Sequence, residues 1–148
     1  MKVPKDADRD FTAGAYIVKD GRVLLLNHKK LDMWLQPGGH VEEGETPTET
    51  AKREVLEETG HEISIVGSVE EYGDGSTDLP EPFNVNLHRI KDGHWHLEFQ
   101  YMGKITGRVN DYEYSEEDIE WFSKSEIEEL DDIPENARRA ALKALEKY

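Results

Sequence analysis

The stretch "REVLEETG" places Glu54, Glu57 and Glu58 within an arc of roughly 100° on a helix of 3.6 residues per turn. Three carboxylates then converge. Arg53, one turn before Glu57, can pin a carboxylate through its planar guanidinium fork. Upstream lies "QPGG", where the adjacent glycines Gly38 and Gly39 let bare backbone approach a ligand and turn a carbonyl toward it. Hard carboxylate and carbonyl oxygens suit Mg²⁺ or Mn²⁺; zinc would favour histidine or thiolate. Seven glutamates lie between Glu42 and Glu58, and like charges three or four apart on a helix repel by about 0.2–0.5 kcal/mol per pair. A divalent ion would offset that repulsion. The same acids also fit a solvated helix face in a glutamate-rich chain.

The helix that must carry them is bounded by its own signals. Thr46 and Pro47 suit its start and Gly60 its C-terminal cap. "FTAGAYIV" and "RVLLLNH" read as two strands joined at "KDG", and "MWLQ" as a short strand running into Pro37. "EISIVGSVEEY" reads as a further strand and "GDGSTDLPEP" as a loop. In "FNVNLHRI" and "HWHLEFQYM" apolar and polar residues alternate. A three-residue loop of Lys91, Asp92 and Gly93, with Gly93 left-handed in a bulge, pairs Leu87 with Leu97, Val85 with Phe99, His88 with His96 and Asn86 with Glu98. A two-residue Asp92-Gly93 turn would instead pair Leu87 with Glu98 and His88 with Leu97, mixing apolar with polar on both faces. "IEWF" is a last short strand and "KSEIEEL" a helical turn. "PENARRAALKALEKY" is a C-terminal helix whose inner stripe is Ala140, Ala141, Ala144 and Leu145. The order implies an α+β chain.

At 148 residues the chain suits one domain, with residues 1–10 a polar arm and 11–148 the folded body. Its 33 acidic against 18 basic residues leave a net charge of −15. A nucleic acid polymer or anionic membrane is then an unfavourable partner, whereas a small phosphate ester carried with a cation is not. The absence of cysteine excludes thiol catalysis, and no apolar run approaches membrane-spanning length. A cytoplasmic location is the expectation.

The complete pattern resembles the signature of the Nudix hydrolases. Gly39 is followed after five residues by Glu45, then after seven by Arg53, Glu54, apolar Val55, Glu57, Glu58 and Gly60. Seven identities at set spacings arise by chance on the order of once in 10⁵ chains of this composition. One position departs: His61 stands where an apolar residue is usual. It lies beyond the helix, so a packing change is expected and no loss of chemistry.

The resemblance implies a Nudix-type α/β/α sandwich with a mixed central β-sheet. It also implies Mg²⁺-dependent cleavage of a nucleoside diphosphate linked to another group, with Mn²⁺ as an alternative ion, in a monomer or homodimer. Glu57 and Glu58 match the main metal ligands, Glu54 a ligand or base, and Arg53 the residue orienting them. The Gly39 carbonyl would complete the coordination, and Glu45 would brace the loop. A further acid from outside the motif is expected from Glu98, Glu116 or Glu117. For substrate binding the expectations are Lys30, beside Lys29 upstream of "MWLQPGG", and the polar strand face of His88, His96 and Glu98. A zinc site of His88, His94 and His96 has no thiol and no regular spacing behind it. The alternative function is a Nudix-fold binding or sensor module with little turnover, which would not need all three helix acids.

Overall fold

The computed structural model describes residues 2–148. The chain opens with β1 (Asp8–Lys19) and β2 (Arg22–Asn27), antiparallel and joined by an Asp20-Gly21 turn. Both turn residues have positive φ, 52° and 74°, the two-residue geometry that matches strand twist. Strand β1 begins inside the stretch expected to be an arm, because Asp8, Arg9 and Asp10 pair with residues 94–96. Next come β3 (Trp34–Leu35) on β2 and β4 (Gly38–His40) on β1. These short strands deliver the chain to α1 (Pro47–Thr59) and β5 (His61–Ile65).

The chain then leaves the main sheet. The run expected as one long strand after α1 breaks at Gly67, where φ is 129°. A two-stranded ribbon of β6 (Glu70–Glu71) and β7 (Thr77–Asp78) follows, within what reads as a loop. It returns as the hairpin β8 (Asn84–Lys91) and β9 (His94–Arg108). Their register pairs Leu87 with Leu97, Val85 with Phe99, His88 with His96 and Asn86 with Glu98, as alternation predicts. The turn differs in detail: Lys91 pairs with His94, and the irregularity sits between Arg89 and Lys91. Gly93 is left-handed, with φ of 77°. Strand β10 (Ile119–Ser123) then pairs with β2, and α2 (Lys124–Glu129) and α3 (Glu135–Lys147) finish the chain.

The main sheet runs β10-β2-β1-β9-β5, and the β1·β9 pair is parallel while the others are antiparallel. Side-chain alternation gives the sheet two faces. On one, Ala13, Ala15, Ile17, Leu24 and Tyr101 pack against Ala51 and Val55 of α1. On the other, Tyr16, Val23, Leu25 and Met102 pack against Ala137, Ala140, Ala141 and Ala144 of α3, with Leu145 partly buried. The alanine stripe lets α3 lie close to the sheet. This is an α/β/α sandwich. The apolar row of the β8–β9 hairpin runs on beyond α1, leaving Val85 exposed on one side of β9 and Phe11, tilted against Phe99, exposed on the other.

The link from α1 into β5 depends on one backbone conformation. Gly60 ends the helix with φ of 77°, donating its N–H to the Leu56 carbonyl. A Cβ there would lie 2.6 Å from Tyr112 Cδ1 and 2.7 Å from the Val109 carbonyl oxygen. Gly60→Ala should therefore lower stability by about 2 kcal/mol or more, read as a drop in Tm. An unchanged Tm would contradict the left-handed cap.

Candidate active site

The helix carrying the acids is started by a capping box. Thr46 Oγ1 accepts from the Glu49 N–H, and the Glu49 carboxylate accepts from the Thr46 N–H at 3.1 Å. One face of α1 then packs on the sheet through Ala51 and Val55. Glu54, Glu57 and Glu58 are left facing the glycine loop.

Arg53 is the hub of that group. Its Nε and Nη2 donate to the two oxygens of Glu45 at 2.7 and 3.0 Å, a bidentate pair. Its Nη1 donates to Glu54 Oε1 at 2.7 Å and to Glu57 Oε2 at 3.3 Å. Nη2 also reaches the His40 carbonyl at 3.1 Å, tying the helix to the loop after Gly39. Glu45 accepts further bonds from the Glu42 N–H and the Thr50 hydroxyl. Held chiefly by Arg53, its carboxyl falls to about 2. Glu45 sits as a brace under the arginine.

The other acids are less well compensated. Glu58 accepts from the Gly38 N–H at 2.9 Å, yet burial and then the neighbouring Glu54 push its carboxyl up to about 8. Burial also raises Glu54, against the pull of Arg53. The Glu54 carboxylate lies directly over Gly39, where a Cβ would come within 2.6 Å of it. A side chain there would displace the carboxylate from its place on Arg53. Glu57 stands at the mouth with its side chain 56% exposed.

A fourth acid comes from a place the sequence did not mark. Glu113 N–H donates to the Glu57 carbonyl at 2.8 Å and Tyr114 N–H to the Glu58 carbonyl at 3.2 Å, so the loop before β10 docks on the last turn of α1. Glu113 thereby acts on both Glu54 and Glu58, raising their carboxyls. Five acids fall between Asp111 and Asp118, and only the docked backbone selects among them. The neighbouring Tyr114 is almost fully buried and anchors that run.

The remaining expected residues are placed elsewhere. Of the two lysines, Lys29 reaches the cluster, 3.6 Å from the Glu113 carboxylate; Lys30 is exposed and gives its backbone N–H to His28 Nδ1. Glu116 and Glu117 lie in an exposed 3₁₀ turn. Glu98 points to the sheet face opposite α1, since its strand neighbours Leu97 and Phe99 belong to the α1 side. It is buried there, accepting from Gln36 Nε2 at 2.8 Å and from Gln100 Nε2. Burial raises its carboxyl too. His88 and His96 share that polar face, paired across the hairpin. Burial lowers His88, and burial followed by neighbouring histidines lowers His96 to about 4. His61 stacks edge-on against Trp121 and its Nε2 lies 3.3 Å from Arg108.

A large open cleft of about 1060 Å³ lies between the β6–β7 ribbon and the end of α3. Val66, Phe83, Met102 and Tyr148 line it beside Glu70 and Asp78, and none of the α1 acids does.

The donor set at α1 fits a hard divalent cation. Glu54 lies over Gly39, Glu58 accepts from the Gly38 N–H, Glu57 shares Arg53 with Glu54, and the Glu113 loop docks on the same end of the helix. The family description "NUDIX domain" matches residues 8–144 of this sequence. The chain belongs to the Nudix family. A Nudix hydrolase structure from Clostridium perfringens superposes with a TM-score of 0.79 at 28% identity, covering 95% of this chain and 98% of that one. A relative in Lactococcus lactis, named a probable DHNTP pyrophosphohydrolase, is 33% identical over 95 residues, 64% of this chain and 54% of its own length. A Bacillus subtilis relative, named a putative 8-oxo-dGTP diphosphatase, is 35% identical over 65 residues, 42% of this chain and 44% of its own. The matches thus span about half the length of these two relatives. Among the described residues no helix is long and apolar enough to cross a membrane.

The raised Glu58 carboxyl gives this Nudix helix a signature in pH. Between the ordinary value of 4.5 and about 8 the folded chain holds a proton that the unfolded chain has lost. Stability without metal therefore falls from this group as pH rises through that window. In chelator, Glu58→Gln should flatten the decline of Tm between pH 5 and 8.5 and leave the variant more stable than wild type at the upper end. Parallel Tm curves for the two proteins would contradict the burial of Glu58.

Proposed function

We propose that this chain is a Mg²⁺-dependent pyrophosphohydrolase that cleaves the diphosphate of a small nucleotide derivative, a nucleoside diphosphate linked to another moiety. The carrying observation is the group of acids beside the Gly38-Gly39 backbone, in which an arginine braced by Glu45 holds Glu54 and Glu57 while the Gly38 N–H holds Glu58. The names of the two curated relatives, one a diphosphatase and one a pyrophosphohydrolase, support the same class of reaction.

Glu57, Glu58 and Glu113, with the Gly39 carbonyl, would hold the ions, and Glu54, its Oε1 engaged by Arg53, would stand beside them as base. Bound there, Mg²⁺ or Mn²⁺ neutralises diphosphate oxygens and lowers the pKa of water. Glu54 Oε1 is taken by Arg53, which leaves Oε2 to accept the proton of the water that attacks phosphorus. Burial makes Glu54 more basic than an ordinary carboxylate, which suits that task. The new bond is P–O from water, and the bond broken is P–O to the bridging oxygen of the diphosphate. Lys29, already beside Glu113, is placed to meet a phosphate near the acids.

With a panel of nucleoside diphosphate derivatives and Mg²⁺, Glu57→Gln should lower kcat by about 10²-fold or more with the circular dichroism unchanged. Removing one of several like charges relieves repulsion, so the fold should not suffer. Glu113→Gln should raise the Mg²⁺ concentration needed for half-maximal activity. Near-normal kcat in Glu57→Gln would remove the acids from the chemistry, and no turnover of any panel member by wild type would favour a binding module.

A further inference from the structure

Four of the chain's six histidines meet on the sheet face opposite α1, at the end where β1 begins. His94 and His96 are two apart on β9 and so share that face. The parallel pairing sets Asp10 of β1 against His96, and β4 brings His40 alongside Thr12. Three segments distant in sequence supply the group. Asp10 Oδ2 lies 3.3 Å from His40 Nε2 and 3.2 Å from His94 Nε2. Asp10, His94 and His96 each offer one ligand atom, and these lie within 4.8 Å of one another. The His96 ring stands edge-on to His40 at 5.0 Å and to His94 at 5.2 Å.

We propose that Asp10, His40, His94 and His96 form a second metal site, for a divalent transition ion of the zinc class, separate from the acids of α1. Four ligands around zinc at about 2.0–2.1 Å stand roughly 3.3–3.4 Å apart, the edge of a tetrahedron. The two Asp10 distances already match that edge. His96 must close a somewhat longer gap by rotating its ring. Three imidazoles and one carboxylate are the ligand set of Zn²⁺, Co²⁺ or Ni²⁺, while Mg²⁺ prefers oxygen alone. A surface ion pair would account for Asp10 with one histidine, but not for His96 held between two others. A supporting layer is present as well. His88, edge-on to His96 at 5.5 Å, is oriented by its Nδ1 contact with Asn86 Oδ1 at 2.8 Å, and Asn136 of α3 reaches the same oxygen.

Such an ion would clamp the start of β1, the strand β4 and the tip of the β8–β9 hairpin. His40 directly follows Gly39, so occupancy would also steady the glycine loop. This assignment gives His96, and His88 behind it, a role other than the substrate contact that the sequence suggests. It does not depend on the proposed hydrolysis.

The test uses the whole chain, stripped with chelator and returned to excess Mg²⁺ so that the α1 acids are occupied. Titration with Co²⁺ should then show one equivalent per chain, with the visible absorption of a four-coordinate ion, displaced by Zn²⁺ and accompanied by a rise in Tm. His94→Ala and His96→Ala should each weaken binding at least tenfold and abolish the absorption, while Glu57→Gln should leave both intact. Asp10→Asn, which keeps the shape of the side chain, should give the same loss and serves if a histidine variant misfolds. No binding of Co²⁺ or Zn²⁺ by wild type would overturn the proposal. So would binding that survives both histidine variants, or binding lost in Glu57→Gln, which would place the ion among the α1 acids.

Discussion

The arrangement turns on a buried carboxylate among carboxylates. Holding Glu58 ionised against a carboxyl value of about 8 costs roughly 5 kcal/mol relative to an ordinary glutamate. That is comparable to the whole net stability of many small domains. One backbone N–H from Gly38 does not offset it. Arg53 cannot help, because its donors are spent on Glu45, Glu54, Glu57 and the His40 carbonyl. In the metal-free chain a proton is the only compensation left. Under the proposed function a divalent cation would replace that proton and offset the repulsion of Glu54, Glu57 and Glu113 together.

The rest of the fold can be understood as what keeps those acids from relaxing apart. Burial of Ala51 and Val55 against β1 and β5 fixes the rotation of α1, so the acids cannot turn outward without exposing the core. The loop carrying Glu113 is tied by two backbone bonds to the helix end, where the last carbonyls need donors. Glu45 holds Arg53 from behind. Gly39 leaves room for the Glu54 carboxylate where any side chain would fill it.

Much of this was legible in the sequence, and unevenly so. Local signals carried the ends of α1, since Thr46, Pro47 and Gly60 act within a few residues of themselves. Strict alternation carried the β8–β9 register, because a slip of one residue would move every side chain to the wrong face. Long-range placement was not legible. Glu113 is one acid among five, chosen by a loop that docks through its backbone, and nothing in its side chain marks it. Glu98, weighed beside Glu116 and Glu117 as the acid outside the motif, falls on the opposite sheet face. The histidine group needed the parallel β1·β9 pairing, which brings Asp10 to His96, and no local pattern announces a parallel pair 86 positions apart.

The most direct measurement is the number of protons released when the metal-free chain binds Mn²⁺, taken by calorimetry in buffers of differing ionisation enthalpy. With His94 and His96 both replaced by alanine, only the α1 acids contribute. If Glu58 carries a proton until the cation arrives, binding at pH 7 should release close to one proton per chain, falling toward none well above pH 8. Binding that releases no proton at pH 7, or no binding at all, would contradict the account.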